Sequence, residues 1–347
     1  MRITFPLLGL TQHGGTRVLV QIANKLAEYG CKVTLLYPKG TEKCDYKLNS
    51  NIEKEEIGFK TNIKVLSWLS FIFFVIPKLK GTKIIANQFV TFYPTYIASL
   101  LFKSSSYLYI VQDIEFKAYN KNISYCVRPF ALLTYKSKKI IAANNYLKNE
   151  LDKFGCDVLY SMNLGIDSIF FNASQSVEKD FDVIYFARHE KYKRIDRFFH
   201  LLPYLNDNNI KVLCITQNLH LKDELEKLNV NVLIPKDQID LIKLIDSSKI
   251  SLLTSDHEGF SLPPLECMSR GLPSVMYECG GPSNYVIDGY NAFVAEPDDS
   301  EYVISSLKML LESKELYSQM SKNAYETSLE FNFDKELDKL TNLIVNS

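Results

Sequence analysis

The chain has 347 residues, 46% of them hydrophobic and 23% charged, which allows two domains with sizeable cores. Its 40 basic and 40 acidic residues cancel, and this argues against a general electrostatic nucleic-acid binder, which carries a basic excess. Seven cysteines without one CxxC pair argue against a zinc knuckle or dithiol centre and fit free thiols in a reducing compartment, with Cys31, Cys214 and Cys267 as small core residues.

In chain order, Met1–Leu10 holds one charge and no cleavage-like site, so no signal peptide is expected. "RITFPLL" reads as a short apolar strand. A helix follows "GLTQHGG", with Leu19, Ile22, Ala23 and Leu26 on one face and Gly30 at its end. "CKVTLLY" is a continuous apolar run of the kind buried in a parallel sheet, and "KIIANQ", "YLYIVQD" and "KKIIAAN" repeat the pattern with helical stretches between. The most apolar run, "VLSWLSFIFFVIP" (Val65–Pro77), is shorter than the ~20 residues that span a bilayer. It suits a buried helix. The lesser alternative is an interfacial surface, with Lys78 and Lys80 beside it for anionic lipid.

A second alternating set starts near residue 181: strands at "FDVIYFA", "IKVLCIT", "VNVLIP", "ISLLTS" and "PSVMY". Helices are expected at "RIDRFFHLLPYL", broken near Pro203, and at "LKDELEKL", "QIDLIKLIDSS" and "PPLECMSRG". The join falls within 165–178, in the polar stretch "MNLGIDSIFFNASQSVEKD". The C-terminal "FNFDKELDKLTNLIV" places Phe333, Leu337, Leu340 and Ile344 at helical spacing, with Asp334 near the helix start.

Five stretches could carry chemistry. In "DHEGFSLPPLECMSRGLP" Glu258 sits in the loop at a strand's C-terminal end, where open α/β sheets bind ligands. Glu266 sits in the first turns of the next helix, and the N–H groups around Ser261 and Leu262 form an anion site. A solvent-facing loop glutamate and a helix-start glutamate favoured by the macrodipole would look the same. In "HGGTR" Gly14 and Gly15 let the backbone approach an anion or sugar, or simply make a tight turn. The dinucleotide fingerprint GxGxxG is absent. In "FARHEKYKR" Arg188 and Lys193 can neutralise a diphosphate or form a solvated basic loop. In "YIVQDIE" Asp113 ends a buried strand, where it can orient a hydroxyl, accept its proton, or cap a turn. In "ECGGPSNYVIDGYNAFV" Gly280 and Gly281 precede a helix, and their amides could reach sugar hydroxyls. "DFD" at 180–182 starts a strand and reads as structural rather than as a metal site.

Taken jointly, these motifs resemble GT-B glycosyltransferases of the large family 4 type. "EGFSLPPLE" resembles that family's E-x7-E element, "ARHEKYK" its G-R-x4-K element with Ala187 in place of glycine, "GGTR" its N-terminal Gly-Gly loop, and "NLGIDSIFF" its domain-linking segment. The resemblance covers nearly the whole chain and is densest over 181–299.

It implies an α/β GT-B fold of two Rossmann-like, doubly wound domains facing an inter-domain cleft. The division is an acceptor-binding domain (1–168), a nucleotide-sugar-binding domain (169–328) and a C-terminal helix (329–347) packing back on the first. By analogy Arg188 and Lys193 hold the diphosphate, Glu266 the ribose, and Glu258 the donor sugar near the reacting centre. Gly14 and Gly15 would close over the donor, with Gly280 and Gly281 near its hydroxyls. Gln112 stands where many relatives have histidine. It cannot transfer a proton as histidine does, and "QD" followed by an acid looks like rhamnosyltransferase-like members.

The expectation is a cytoplasmic, retaining glycosyltransferase, with peripheral contact to the inner face of a membrane through Val65–Pro77 left open. It moves a hexosyl or deoxyhexosyl group from a nucleotide-diphosphate sugar to a glycan or lipid-linked acceptor in surface polysaccharide synthesis. No cofactor, metal or nucleic acid is expected, because cations and amide dipoles can stabilise the leaving diphosphate. Two alternatives remain: a non-catalytic GT-B partner that binds glycan or stabilises a subunit, and an epimerase on the same fold. A Rossmann dehydrogenase is disfavoured by the missing fingerprint.

Overall fold

Apolar runs without period-2 alternation make strands buried on both faces, and such strands need helical crossovers to run parallel. This pattern occurs twice in the computed structural model, which describes residues 1–11, 14–43, 46–60, 64–118, 121–172 and 178–347, without the side chains of residues 64, 65, 118 and 121. His13, Cys44 and the stretch 173–177 of the expected join lie outside the described residues.

The first unit comprises Met1–Asn163 and Asp334–Ser347. Its elements are β1 (Arg2–Pro6), α1 (Gly14–Glu28), β2 (Lys32–Pro38), β3 (Ile52–Ile57), α2 (Lys64–Lys78), β4 (Lys83–Ala86), α3 (Phe89–Leu101), β5 (Ser106–Val111), α4 (Lys121–Thr134), β6 (Ile140–Ala142), α5 (Asn145–Asp152) and β7 (Val158–Ser161). The sheet is parallel with order β3-β2-β1-β4-β5-β6-β7, so the winding direction reverses between β1 and β4.

The second unit comprises Leu164–Phe333. It contains β8 (Phe181–Phe186), α6 (Ile195–Asp207), β9 (Val212–Ile215), α7 (Leu219–Glu226), β10 (Asn231–Leu233), α8 (Gln238–Asp246), β11 (Ser248–Leu253), α9 (Leu262–Met268), β12 (Ser274–Tyr277), β13 (Ala292–Ala295), α10 (Ser300–Glu312) and α11 (Lys314–Ser328). Its sheet is also parallel, ordered β10-β9-β8-β11-β12-β13, and reverses between β8 and β11.

The last helix, α12 (Phe333–Asn346), belongs to the first unit from Asp334 onward. Its stripe of Phe333, Leu337, Leu340 and Ile344 is buried. Lys83 Nζ donates to the Ile344 carbonyl at 2.7 Å, Tyr160 Oη donates to Glu336 at 2.6 Å, and Lys25 pairs with Asp338 at 2.7 Å.

Several expectations meet a different structure. The units divide at 163/164 and 333/334 rather than at 168/169 and 328/329. The cause is a short ladder inside the second unit: Ile166 N–H donates to Phe331 O at 2.9 Å and Phe333 N–H to Ile166 O at 3.0 Å. Helix α6 runs unbroken through Pro203, because Phe198, Leu201, Leu202 and Leu205 all pack into the core and outweigh one lost backbone bond. Strand β3, "IEKEEI", was hidden by its charges; it is an edge strand, where such side chains discourage edge-to-edge pairing. Helix α2 buries only one stripe, including Phe71 and Val75, and leaves Leu66, Leu69 and Phe73 exposed.

Candidate active site

In an open α/β sheet the crevice beyond the strands' carboxyl ends at the reversal point is the natural ligand site. In the second unit this selects the loops after β8 and β11. They are stitched together: Thr254 Oγ1 donates to Lys193 O at 2.9 Å and lies 2.9 Å from Tyr185 Oη, while Asp256 N–H donates to Tyr192 O at 2.8 Å. This brings Lys193 onto Glu258. Its Nζ donates to both carboxylate oxygens at 2.8 Å, and Ser255 Oγ donates to Oε1 at 2.7 Å. Glu258 is 5% exposed. Burial works against the Lys193 ammonium, but the adjacent Glu258 carboxylate more than offsets it, so the lysine pKa lies above its ordinary value. Arg188, on the same loop as Lys193, is half-buried and makes no ion pair or side-chain hydrogen bond among the described residues.

A second ring of charge was not foreseen. Arg194 adopts a left-handed backbone (φ 50°) and forks onto Asp196 and Asp256 at 3.0–3.1 Å. Buried Arg197 donates to Thr254 O at 2.9 Å and to Asp298 at 2.8 Å, and its guanidinium lies 4.4 Å from the centroid of the Tyr277 ring. These arginines fix Asp256, two residues before Glu258. The only sequence signal was their spacing of three in "RIDR" at a helix start.

Helix α9 begins as expected with prolines in its first turn, but both Pro263 and Pro264 follow Leu262, so two of the first three helical residues have no N–H. The donors left are Ser261, which caps the helix at φ 64°, and Leu262; neither donates elsewhere in the chain among the described residues. Glu266 is 3% exposed on this helix.

Gly280 precedes and Gly281 begins a single 3-10 turn, Gly281–Asn284, not an α-helix. Their amides are engaged inside the protein: Gly280 N–H donates to Glu278 Oε1 at 2.9 Å and Gly281 N–H to Glu258 O at 2.9 Å. The expectation that these amides reach sugar hydroxyls is therefore corrected. What glycine supplies at 281 is close backbone approach, since a Cβ there would lie 2.4 Å from Gly259 C. The pair clamps the loop that carries Glu258.

In the first unit Gly14 and Gly15 are the first residues of α1. Gln112 Nε2 donates to Gly15 O at 3.1 Å, so the β1 and β5 ends meet. Asp113 accepts from the Ile114 N–H at 2.7 Å, which is the turn-capping role, and remains partly exposed. Glu115 is the acid that follows the "QD" pair, and the sequence assigns it no role of its own. Both its oxygens lie 3.0 Å from the Phe89 N–H at the start of α3. Burial pushes its pKa up to about 8; the Phe89 N–H opposes the rise and the Asp113 charge adds to it.

One possible metal set occurs among the described residues. His189, on the loop after β8, and His220 and Glu224 of α7 bring ligand atoms within 4.8 Å of one another. Two imidazoles and a carboxylate suit a borderline ion such as Zn2+. All three are solvent-exposed, and none belongs to the Lys193–Glu258 cluster.

Residues 167–327, within the second unit, match the family model described as glycosyl transferases group 1. Over this stretch the chain is similar to group 1 glycosyltransferases. Among curated relatives, an uncharacterized glycosyltransferase of Methanocaldococcus jannaschii is 25% identical over 221 residues, 59% of each chain. The UDP-Gal:alpha-D-GlcNAc-diphosphoundecaprenol alpha-1,3-galactosyltransferase of Escherichia coli is 30% identical over 107 residues, 30% of this chain and 27% of that one. The match thus spans less than two thirds of these relatives' own lengths. Among solved structures, sucrose-phosphate synthase of Thermosynechococcus elongatus superposes with a TM-score of 0.84 at 13% identity over 99% of this chain and 98% of that one. HepE of Anabaena, solved with UDP and glucose, gives 0.78 at 17% over 100% of both. At these identities the likeness is one of fold, and the stretch that matches the family model sits in a chain of GT-B fold.

Proposed function

We propose that the chain is a retaining, metal-independent glycosyltransferase that uses a nucleotide-diphosphate sugar. The observation that carries this reading is the Lys193–Glu258–Ser255 cluster, with Arg188 on the same loop as Lys193 and without an ion pair among the described residues, at the reversal point of the unit that matches the family model. Arg188 is assigned the diphosphate as a planar fork, and Lys193 shares its charge between Glu258 and a phosphate oxygen. The Ser261 and Leu262 amides add donors. Glu266 takes the ribose hydroxyls. Glu258, fixed by Ser255 and Lys193, takes hydroxyls of the donor sugar. The chemistry is substitution at the anomeric carbon: its bond to the phosphate oxygen breaks, a bond to the acceptor hydroxyl forms on the same face, and the hydroxyl proton leaves. Cations and amides stabilise the departing diphosphate.

In the first unit, Gly14 and Gly15 supply close backbone approach to the donor, and Asp113 orients the acceptor hydroxyl or takes its proton. The acceptor class is a saccharide on a glycan or lipid carrier, as in the Escherichia coli relative, within surface polysaccharide synthesis.

The test is turnover of a nucleotide-sugar panel with lipid-linked saccharides, scored by nucleoside diphosphate release and by the product's anomeric configuration. Arg188→Ala should lower kcat/KM by about 10²-fold or more, the scale for removing one transition-state donor. Chelator should leave the rate unchanged. Donor binding without turnover across the panel would favour a non-catalytic partner. Inverted product or loss of rate with chelator would refute the mechanism.

A further inference from the structure

The chain's charge is neutral overall but unevenly placed. Between Gly58 and Asn149 the only acidic residues are Asp113 and Glu115, against thirteen lysines and arginines. This span contains α2, α3 and α4. They cross β3→β4, β4→β5 and β5→β6, all in one direction along the sheet, so right-handed crossovers place them on one face. Helix α2 packs on α3 and α3 on α4, and Tyr93 Oη of α3 donates to Phe130 O of α4 at 2.9 Å.

The outer side of this layer is apolar. Leu69 and Phe73 on α2, Leu100 and Leu101 on α3, and Phe130 and Leu133 on α4 are each 56–72% exposed. Monomeric soluble surfaces rarely leave so many large apolar side chains together without a partner. Because helices in a parallel sheet run against the strands, all three C-termini lie at one end. Lys80 follows α2, Lys103 follows α3, and Lys136 and Lys138 follow α4; all four are exposed and form no ion pair among the described residues.

We propose that the α2–α3–α4 layer docks on the surface of an anionic lipid bilayer. Its leucines and phenylalanines enter the headgroup–acyl boundary, and the lysine rim meets lipid phosphates. Charge complementarity selects this occupant. A second copy laid on the same face would set two spans rich in lysine and almost free of carboxylates against each other. No helix among the described residues is long and apolar enough to cross a membrane, so the contact is one of surface. The proposal rests on the glycosyltransferase reading only for the acceptor it selects, a saccharide on a lipid carrier; docking itself does not depend on catalysis.

The experiment is co-sedimentation of the full chain with phosphatidylcholine vesicles, with and without phosphatidylglycerol. Binding is expected only with phosphatidylglycerol and should weaken as salt shortens the screening length to about 3 Å at 1 M. Lys103→Glu/Lys136→Glu/Lys138→Glu and, separately, Phe73→Gln/Leu100→Gln should each weaken binding at least about tenfold, since one surface lysine alone contributes about fivefold. All these positions are exposed, so thermal unfolding should not change, and each variant set reads out without the other. The proposal is overturned if the protein stays in the supernatant at low salt, or binds both vesicles equally. A salt-resistant dimer that Phe73→Gln/Leu100→Gln disperses would overturn it too.

Discussion

Lys193 and Glu258 show how one pair of residues serves both stability and chemistry. The carboxylate is buried and the ammonium largely so, and each is tolerated only because of the other. Lys193→Met should destabilise the domain by about 3 kcal/mol in urea unfolding, whereas Lys193→Met/Glu258→Gln should recover most of that loss. Equal and additive losses would mean that the pair is not coupled. Glu115 makes the opposite case. Its pKa is raised above the unfolded value, so between about 4.5 and about 8 the folded state binds more protons than the unfolded one. Stability from this group is therefore present below the ordinary carboxyl pKa and lost as pH rises toward 8. Glu115→Gln, which keeps an oxygen for the Phe89 N–H, should gain on the wild type in melting temperature from pH 5 to pH 8. A constant difference would show that Glu115 ionises as an ordinary carboxyl.

At the scale of elements, the site is made by turns that lock loops to strand ends. Gly281→Ala would push a Cβ into the Gly259 backbone at 2.4 Å, while Gly15→Ala would meet only the end of the Gln112 side chain at 2.8 Å. The first should cost about 1–3 kcal/mol, the range for overpacking, and impair donor binding; the second should cost less, because Gln112 can swing aside. Equal effects would remove the distinction between a backbone clamp and a yielding contact. This scale also marks where sequence reasoning stopped. The glycines, glutamates and cations of the second unit could be named from their place after apolar strands. Which amides were already engaged could not, because the Gly281 N–H closes onto Glu258 O, more than twenty positions away, and the Gly280 N–H onto a neighbouring side chain whose rotamer the sequence does not fix. Arg194 and Arg197 were missed for the same reason: their partners Asp256 and Asp298 are distant in sequence. Strand β3 is charged, and β7 (VLYS) and β13 (AFVA) are only four residues long, which left all three unnamed in the sequence.

At the scale of the molecule, two doubly wound units were legible because each repeats buried strand and amphipathic helix, and that alternation admits few topologies. The boundary was displaced by five residues at each crossing, since a two-bond ladder between Ile166 and Phe331–Phe333 decides it and leaves no mark on composition. The apolar run of α2 was seen, but only the neighbouring helices show that its exposed stripe continues into a wider face. In the proposed function the second unit holds a nucleotide-sugar on Arg188 and Glu266. Thermal shift across a panel of nucleotide-sugars tests it most directly, with each variant compared against its own ligand-free baseline. A donor present at 100 times its Kd should stabilise the wild type by ~2.7 kcal/mol, and Arg188→Ala and Glu266→Ala should each abolish that gain. No shift with any donor while the protein is folded, or an undiminished shift in both variants, would contradict the account.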